Sequence, residues 1–288
     1  MRVANRMVFE ATKYRLGNIT ESLNKANEVV TTGKRINDLS DDPVGLTQAL
    51  DIRSDLSSIE QMGRNISLGA SWLNASESAL SQVQNIISDV KALCVQMTTA
   101  TSGSEQRASA AETIRNMMEE VISLANTEIS GSYIFSGSKT DTTSFDPDGA
   151  YNGDDNPFKI KIGKDATVTV GNDGSAVFGN IFNTFADLID SLENDNIDGI
   201  RSAMENFEDH FEDISVKISD IGSKMLRMEM KASIYQNLDI SNKERLSAIE
   251  DADIADAIMD LSAVQITYRA ALASSSKIMT LSLVDYLG

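Results

Sequence analysis

A sustained seven-residue repeat of apolar side chains is the feature that most constrains how this chain can fold. Apolar residues at two positions of every seven predict a helix that packs along its length against partner helices. Two small residues in the repeat, Gly69 and Ser76, predict a close helix approach. The repeat consists of Ile59, Ile66, Leu73, Leu80, Ile87 and Cys94, with Met62, Gly69, Ser76, Val83, Val90 and Met97 three residues further on.

Shorter versions of the same repeat lie at both ends of the chain. The C-terminal version is Ile254, Ile258, Leu261, Gln265, Tyr268, Leu272 and Met279, and the N-terminal version is Ile19, Leu23, Ala26 and Val30. A helix cannot bury its own apolar stripe, so we expect the ends to pack on each other and then on a neighbouring copy. A self-contained helical bundle would use the same residues, but the apolar final segment favours assembly. That segment includes Leu281, Leu283, Tyr286 and Leu287.

The middle of the chain has a different character. Residues 131–180 hold eight of the 17 glycines and two of the three prolines. Two runs of alternating residues, 158–162 and 167–170, flank a Gly-Lys-Asp turn, a pattern that predicts β hairpins. The predicted fold class is mainly α with a small β domain. It has a long coiled-coil-like helical rod, formed from the N- and C-terminal halves, and a β-hairpin insertion in the middle.

Element boundaries follow from capping and breaking residues. Asp41 and Asp42 before Pro43 suit the start of a long helix that runs to about Thr99. Further helices are predicted over 1–31, over 105–130 and from Ile181 onward, with breaks at 194–198 and 238–242. The expected division is an N-terminal assembly region (1–45), a first rod half (46–130), a β-rich domain (131–180), a second rod half (181–249) and a C-terminal assembly region (250–288).

The distribution of charge excludes several classes of partner. The chain carries a net charge of −18, and residues 141–260 hold 26 acidic and ten basic residues. An acidic chain without a basic patch argues against nucleic acid and anionic membrane surfaces as partners. No stretch of about 18 apolar residues predicts a membrane span. Residues 1–18 lack an uninterrupted apolar run, so no cleaved secretory signal is expected.

Candidate catalytic residues are few. The one histidine, His210, lies in an acidic helical segment, and the one cysteine, Cys94, falls within the heptad repeat. A buried cysteine usually behaves as a small hydrophobe, and no nucleophile with an orienting partner is identifiable. The sequence therefore predicts no enzyme activity and no cofactor. A Cys94–His210 pair is the open alternative.

Metal-binding patterns are incomplete. Asp146 to Gly149 and Asn152 to Asn156 resemble pieces of a calcium loop, but neither has the spacing and terminal glutamate of an EF-hand. Turn chemistry explains both segments. Asp251, Asp253 and Asp256 suit the first turns of a helix, where negative charge is favourable. Trp72, beside Leu73, is interpreted as packing.

Two short motifs near opposite ends resemble those of a known family. Thr32, Gly33, Lys34, Arg35 and Ile36 are followed by Asp41, Asp42 and Pro43, and Ile249, Glu250, Asp251, Ala252 and Asp253 lie near the other end. In this order and placement, the pair resembles the terminal signatures of the bacterial flagellin superfamily. The resemblance covers nearly the whole chain and is weakest over residues 141–245.

Two further segments resemble one branch of that superfamily. Tyr133, Phe135 and Gly137 match a Gly-x-Tyr-Leu-Phe-x-Gly element with Ile134 in place of leucine, and residues 281–287 match a Ser-Leu-x-Asp-Tyr-Leu tail. Both resemble the hook-associated proteins that join hook and filament. A filament-forming flagellin is the nearest alternative. A secreted enzyme on a flagellin-like scaffold and an intracellular coiled-coil adaptor are the others.

The resemblance implies a structural role outside the cell. The chain would be exported by the flagellar type III apparatus, after a cytoplasmic chaperone has held its C-terminal helix, and would form a homo-oligomeric ring at the hook–filament junction. Its neighbours would be hook-associated protein 1 and flagellin. Residues 1–45 and 250–288 would be disordered in the monomer and helical on assembly, and Thr32 to Arg35 would shape a bend. The expected contacts are Leu23, Val30, Leu261, Tyr268, Leu272, Leu283 and Leu287.

Overall fold

The chain folds into long helices with two small hairpins in the middle, which confirms the predicted fold class. The computed structural model describes residues 2–99 and 102–287, and the side chains of residues 6–99 and 102–277. Within those ranges the elements are α1 (Arg2–Thr32), α2 (Pro43–Met97), α3 (Ser104–Ala125), β1 (Glu128–Ile129), β2 (Ser132–Tyr133), β3 (Lys159–Lys161), β4 (Thr167–Thr169), α4 (Gly174–Phe178), α5 (Ile181–Glu193), α6 (Ile197–Glu250) and α7 (Ile254–Leu287).

The chain divides into two compact units. The body unit comprises Ile59–Asn237, and the terminal unit comprises Met1–Ser58 together with Leu238–Gly288. Helices α2 and α6 each contribute residues to both units. The predicted five-part division has different boundaries, at residues 45 and 249, because it groups residues by their role in assembly. It stays a prediction.

The heptad repeat of α2 forms the spine of the body core. Every repeat position from Ile66 to Met97 is buried, whereas Ile59 and Met62 are only half-buried. At Gly69 a Cβ atom would lie 2.5 Å from Met228 Cε of α6, closer than side chains approach one another. Gly69 therefore leaves room for the Met228 side chain, and a close approach of the two helix backbones at this point stays a prediction.

The hairpins lie between α3 and α4. Strands β3 and β4 pair antiparallel, with buried Ile160 opposite buried Val168, as the alternating runs predict. Strands β1 and β2 form a separate hairpin where the sequence indicated helix to residue 130. Ser130 (φ 52°) and Gly131 (φ 79°) take left-handed conformations in the turn between these strands. A helix cannot pass through two such residues, so α3 does not reach residue 130 and already ends at Ala125.

One predicted break exists and the other does not. The connection between α5 and α6 lies at Asn194 to Asn196, where Asp195 has a φ of 59°. The expected break at 238–242 is wrong, because α6 continues through it to Glu250. That stretch contains no proline or glycine, and Asp239 and Lys243 form an ion pair of 2.8 Å one helical turn apart.

In the terminal unit, α1 packs against α7. Half-buried and buried residues recur along both helices at alternating steps of three and four, which places them on the facing sides. In α1 they are Thr12, Leu16, Ile19, Leu23, Ala26 and Val30, and in α7 they are Ala257, Leu261, Val264, Tyr268, Ala271 and Ser275. None of the helices in the described ranges is both long and apolar enough to cross a bilayer.

Candidate functional site: a clasp between the two terminal signatures

The two terminal signatures meet within the terminal unit. The backbone N–H of Arg35 donates to the carbonyl of Glu250 at 2.6 Å, and the N–H of Ala252 donates to the carbonyl of Gly33 at 2.9 Å. Lys34 and Asp251 thereby form an antiparallel bridge. The α1–α2 connection is thus bonded directly to the α6–α7 connection.

A buried carboxylate lies at the centre of this junction. Glu250 is 2% exposed, and its Oε2 accepts from Lys34 Nζ at 2.9 Å and from Arg53 Nη2 at 2.7 Å. Burial by itself raises the pKa of this carboxyl, but the hydrogen bonds and charges of the two cations outweigh burial and lower it. We call the bridge and this ion-pair cluster the clasp. It consists of Gly33, Lys34, Arg35, Arg53, Glu250, Asp251 and Ala252.

Gly33 ends α1 and turns the chain into the clasp. Its N–H donates to the Val29 carbonyl at 2.9 Å, and its φ of 69° lies in the left-handed region. Glycine adopts that conformation without the Cβ penalty of other residues, which is why it is common just past a helix end. The hydroxyl of Thr32 accepts from the N–H of Lys34 at 3.2 Å and secures the turn.

Arg35 binds the C-terminal end of α6. Its Nη2 donates to the carbonyl of Ile249 at 2.9 Å, in the last turn of α6, and lies 3.5 Å from Asp42 Oδ2. A cation at a helix C-terminus satisfies a carbonyl that has no partner within the helix and complements the helix dipole. The residue therefore joins the end of α6 to the start of α2.

The Asp-Asp-Pro motif starts α2 as predicted. The Asp42 carboxylate accepts from the N–H of Gly45 at 2.9 Å, and this bond lowers the pKa of Asp42. Pro43 occupies the first helical position, where its missing N–H costs nothing. The Asp41 carboxylate pairs with Lys25 Nζ at 2.5 Å and also accepts two backbone N–H groups, which lowers its pKa to about 2.

The two aspartates of the C-terminal signature accept hydrogen bonds at the ends of helices α6 and α7. Asp253 accepts from the N–H of Ala255 at 2.9 Å and so starts α7, and Asp251 accepts from the Ser247 hydroxyl at 2.5 Å. In the part of the chain that the structure describes, no cluster of three or more histidine, cysteine or acidic residues could hold a metal.

The segment that contains Tyr133, Phe135 and Gly137 is packed into the body unit. Phe135 is fully buried and meets Phe178 edge-on at 5.1 Å between ring centroids. Gly137 has a φ of 69°, and a Cβ there would collide with the backbone carbonyl of Asp154. Tyr133 lies in β2, and its N–H donates to the Thr140 carbonyl at 2.8 Å. These residues hold loops together and do not converge on the clasp.

The calcium-like segments are turns. The Asp154 carboxylate accepts from the backbone N–H of Ser138 at 2.7 Å and from its hydroxyl at 2.6 Å, and these bonds lower the pKa of Asp154 to about 2. Asn152 Nδ2 donates to Asp146 Oδ1 at 2.7 Å. The carboxylates of Asp146 and Asp154 are thus engaged by nearby donors, as turn chemistry predicts.

The two reactive side chains are in unreactive surroundings. Burial raises the pKa of the Cys94 thiol to about 11, so it stays protonated at neutral pH. His210 lies 3.0 Å from the Thr184 hydroxyl, and burial lowers its pKa. Neither arrangement provides an activated nucleophile.

The predicted contact residues are only partly brought together. Leu23, Val30, Leu261 and Tyr268 lie on the facing sides of α1 and α7. Leu272 remains 43% exposed. Leu283 and Leu287 lie outside the residues whose side chains are described.

Sequence reasoning missed two residues of this region. Arg53, the second cation on Glu250, lies outside both signatures, and no sequence pattern marks it. Gly45 is the other, because a Cβ there would lie 2.6 Å from Asp42 Oδ2 and 2.7 Å from Ile36 Cδ1. Its position three residues after a capping aspartate was the available signal.

The profile of the bacterial flagellin N-terminal helical region matches residues 3–140, and that of the bacterial flagellin C-terminal helical region matches residues 204–287. Together they cover more than three quarters of the chain, including both halves of the clasp. The chain belongs to the bacterial flagellin family. The resemblance drawn from the sequence motifs is therefore confirmed, and this family consists of structural proteins of the flagellum.

Full-length relatives come from two groups of flagellin-family proteins. Flagellar hook-associated protein 3 of Salmonella typhimurium is 22% identical over 93% of this chain and 95% of its own length. Flagellin of Listeria monocytogenes is 25% identical over 96% of this chain and 95% of its own length. The crystal structure of the flagellar junction protein FlgL from Legionella pneumophila, 16% identical, matches with a TM-score of 0.57 over 70% of this chain and 100% of that chain. That structural likeness supports the fold.

Proposed function

We propose that this flagellin-family chain is the structural protein that joins the hook side of the flagellum to the flagellin filament and gives flagellin a surface on which to polymerise. The observation that best supports a structural role is the apolar character of α7. Five of its 34 residues are charged, and Ile254, Ile258, Met259, Ile266 and Leu272 are 43–67% exposed beside the stripe that faces α1. A helix with large apolar side chains on more than one side needs more than one partner to bury them. Neighbouring subunits would supply that interior.

The assignment to the junction, as opposed to the filament, rests on three likenesses. The similarity to hook-associated protein 3 of Salmonella spans almost all of both chains. Residues 131–137 and 281–287 resemble segments of the junction branch. In the structure, Phe135 is buried and Gly137 is required sterically, so the first segment is integral to the body unit.

The clasp would serve this role by holding α1 and α7 in register as they pair. It bonds the chain immediately after α1 to the chain immediately before α7, and the two helices pack from that point. The apolar faces of both helices would then form one surface for the neighbouring subunits. We propose Leu23, Val30, Leu261, Tyr268, Leu272, Leu283 and Leu287 as its packing residues.

The finer features of the assembly belong to the same proposal. The chain would form a ring of identical subunits between hook-associated protein 1 and flagellin, after type III export with a chaperone on α7. Residues 1–45 and 250–288 would order fully only on assembly, so that binding energy is released at the growing tip. The acidic body, with 27 acidic and 13 basic residues, would face outward.

A filament subunit is the second candidate, because the Listeria flagellin also matches over nearly the whole chain. A clean deletion in the host separates the two. Hooks without filaments, with flagellin lost to the medium, are expected for a junction protein. Hooks without filaments and no external flagellin would identify the filament subunit, and normal filaments would overturn both. Electron microscopy and an assay of the medium supply the readout, and re-expression of the full chain is the control.

A further inference from the structure

An open groove lies between α2 and α6 on one side of the body unit. Its volume is about 420 Å³. A Cβ atom at Gly63 would meet nothing within 4 Å, so the groove is open at that end. It is lined by Gly63, Ile66, Ser67 and Ala70 of α2 and by Met225, Met228, Glu229 and Ala232 of α6.

The α2 wall of this groove is free of charge. From Asn65 to Ser76 the chain has no charged residue, although its net charge is −18. On the groove side of this stretch the exposed residues are Ser67 and Asn74. An apolar partner could therefore cover the wall without burying an unpaired charge.

A ridge of large apolar side chains lies on another side of α6. Leu226, Met230 and Ile234 follow one another at steps of four, and they are 62%, 62% and 48% exposed. Side chains four residues apart form the ridges with which helices pack into grooves. At 3.6 residues per turn, the centre of this ridge is about 130° around α6 from the residues that line the groove. One copy of the chain therefore presents the ridge in one direction and the groove in another.

The ridge and the groove lie at the same height along the helices. Helices α2 and α6 run antiparallel, since Gly69 lies opposite Met228 and Gln84 Nε2 donates to Ser215 Oγ at 2.6 Å. Counted from Gly69 and Met228 at about 1.5 Å per residue, Gly63 lies at the height of Ile234. By the same count Ser67 lies at the height of Met230. In two parallel copies side by side, the ridge of one thus faces small residues in the groove of the other.

We propose that the ridge of α6 in one copy of this chain packs into the α2–α6 groove of the next copy, with the two copies parallel and at the same height. Ile234 then lies over Gly63 of the neighbour, and Met230 lies over Ser67. Because the ridge and the groove are on different sides of α6, each copy contacts one neighbour through each surface. Such a contact repeats from copy to copy around a closed ring. This inference rests on the proposed assembly role and identifies the surfaces that neighbouring copies share.

Disulfide trapping tests the contact in the full chain, expressed in the deletion host and recovered in flagella. The variant Ser67→Cys/Met230→Cys is expected to give a ladder of covalent multimers after mild oxidation, because each copy carries one cysteine in the groove and one on the ridge. The variant Ser67→Cys/Ser219→Cys is the matched control and is expected to give no ladder. Ser219 is exposed on the same side of α6 as the ridge, but about 16 Å from Met230 along the axis. The native Cys94 is buried, and the unsubstituted chain measures its background.

Two further variants separate other occupants of the groove. Met230→Cys alone, trapped as a dimer, would mean that ridge meets ridge and would overturn the proposed contact. Ser67→benzoylphenylalanine, a photo-crosslinking residue, is expected to capture this chain, and capture of flagellin in its place would overturn a second copy as the occupant. Absence of trapping beyond the control level would overturn the contact itself. Filaments that still depend on the chain would leave the junction role standing, so the two failures are distinguishable.

A size swap supplies the second readout. In the trapping variant, Gly63→Leu is expected to lower ladder yield several-fold, because the added side chain would occupy the space of the neighbour's Ile234. Adding Ile234→Ala is expected to restore the yield. Both changes are compatible with the fold of one copy, since a Cβ at Gly63 meets nothing and Ile234 is 48% exposed. Ladder yield that ignores the first change, or fails to recover with the second, would contradict the pairing of Ile234 with Gly63.

Discussion

The body and terminal units are built from similar helices but use their apolar residues in opposite ways. Among side chains that the structure describes, 36 buried hydrophobic residues lie in the body unit and four in the terminal unit. Of the large hydrophobic residues that stay exposed, 14 belong to the smaller terminal unit and six to the body. The body is a completed fold. The terminal unit leaves apolar surface uncovered, as the proposed assembly would require.

Substituting two equally exposed leucines gives the sharpest test of this contrast. Leu272 in the terminal unit and Leu68 in the body are 43% and 46% exposed. Leu272→Asp is expected to abolish filament attachment, because a charge would be buried against a neighbour without a partner. Leu68→Asp is expected to leave it intact. The measurement is a swimming assay with electron microscopy of cells carrying each variant, and normal swimming with Leu272→Asp would remove that residue from the interface.

For the stability of the purified chain we expect the opposite order. Substitutions in the body unit should lower the free energy of unfolding more than substitutions in the terminal unit. Leu80 is fully buried, so Leu80→Ala should lower the free energy of unfolding by about 3 kcal/mol. The matched control is Leu50, which is 55% exposed in the terminal unit. Leu50→Ala should change the free energy of unfolding by less than about 0.5 kcal/mol. Urea titration followed by fluorescence of the single tryptophan, Trp72, reports the body. Equal losses in the two variants would contradict the contrast.

The terminal unit depends instead on the clasp. Glu250→Gln removes the charge that Lys34 and Arg53 share, and should weaken this unit by about 2 kcal/mol while leaving the body unchanged. Faster hydrogen exchange at the N–H groups of Arg35 and Ala252 would register the loss. Lys243→Gln, which removes a surface ion pair in the same unit, is the control and should have little effect.

The same carboxylate predicts a dependence on pH. Because the pKa of Glu250 is lowered in the folded state, its contribution is fully present above the ordinary carboxyl pKa and is lost as pH falls through the lowered value. The protection of the Arg35 and Ala252 N–H groups, measured as the exchange rate relative to the intrinsic rate at each pH, should therefore fall on acidification in the native chain more than in Glu250→Gln. A parallel loss of protection in both proteins would assign the effect to other carboxyls.

The smallest expected effect concerns two glycines near one another in the chain. Gly33→Ala places a Cβ at a φ of 69° and should destabilise the terminal unit by about 1 kcal/mol. Gly17→Ala lies inside α1, where a Cβ would meet nothing within 4 Å, and should stabilise the helix by a similar amount. Thermal melts by circular dichroism would show opposite shifts, and shifts of the same sign would contradict the assigned role of Gly33.

The sequence by itself determined the periodic and locally encoded features. The α2 repeat predicted which residues are buried from Ile66 to Met97, Asp42 and Pro43 marked a helix start, and the 158–170 runs predicted a hairpin. Family membership followed from two short motifs. The repeat, the helix start and the hairpin depend on residues within a few turns of one another, where spacing and backbone preference act directly.

Only the tertiary structure decided that the two distant motifs form one clasp. Lys34 and Glu250 are separated by 216 positions, and Arg53, which shares that carboxylate, carries no sequence signal. It also decided which stripe of α7 faces α1, because an apolar helix offers several stripes of similar character. Ala257, Val264 and Ala271 are covered there, whereas Ile258 and Leu272 stay exposed. Burial depends on the partner that each face meets, and local sequence does not specify that partner.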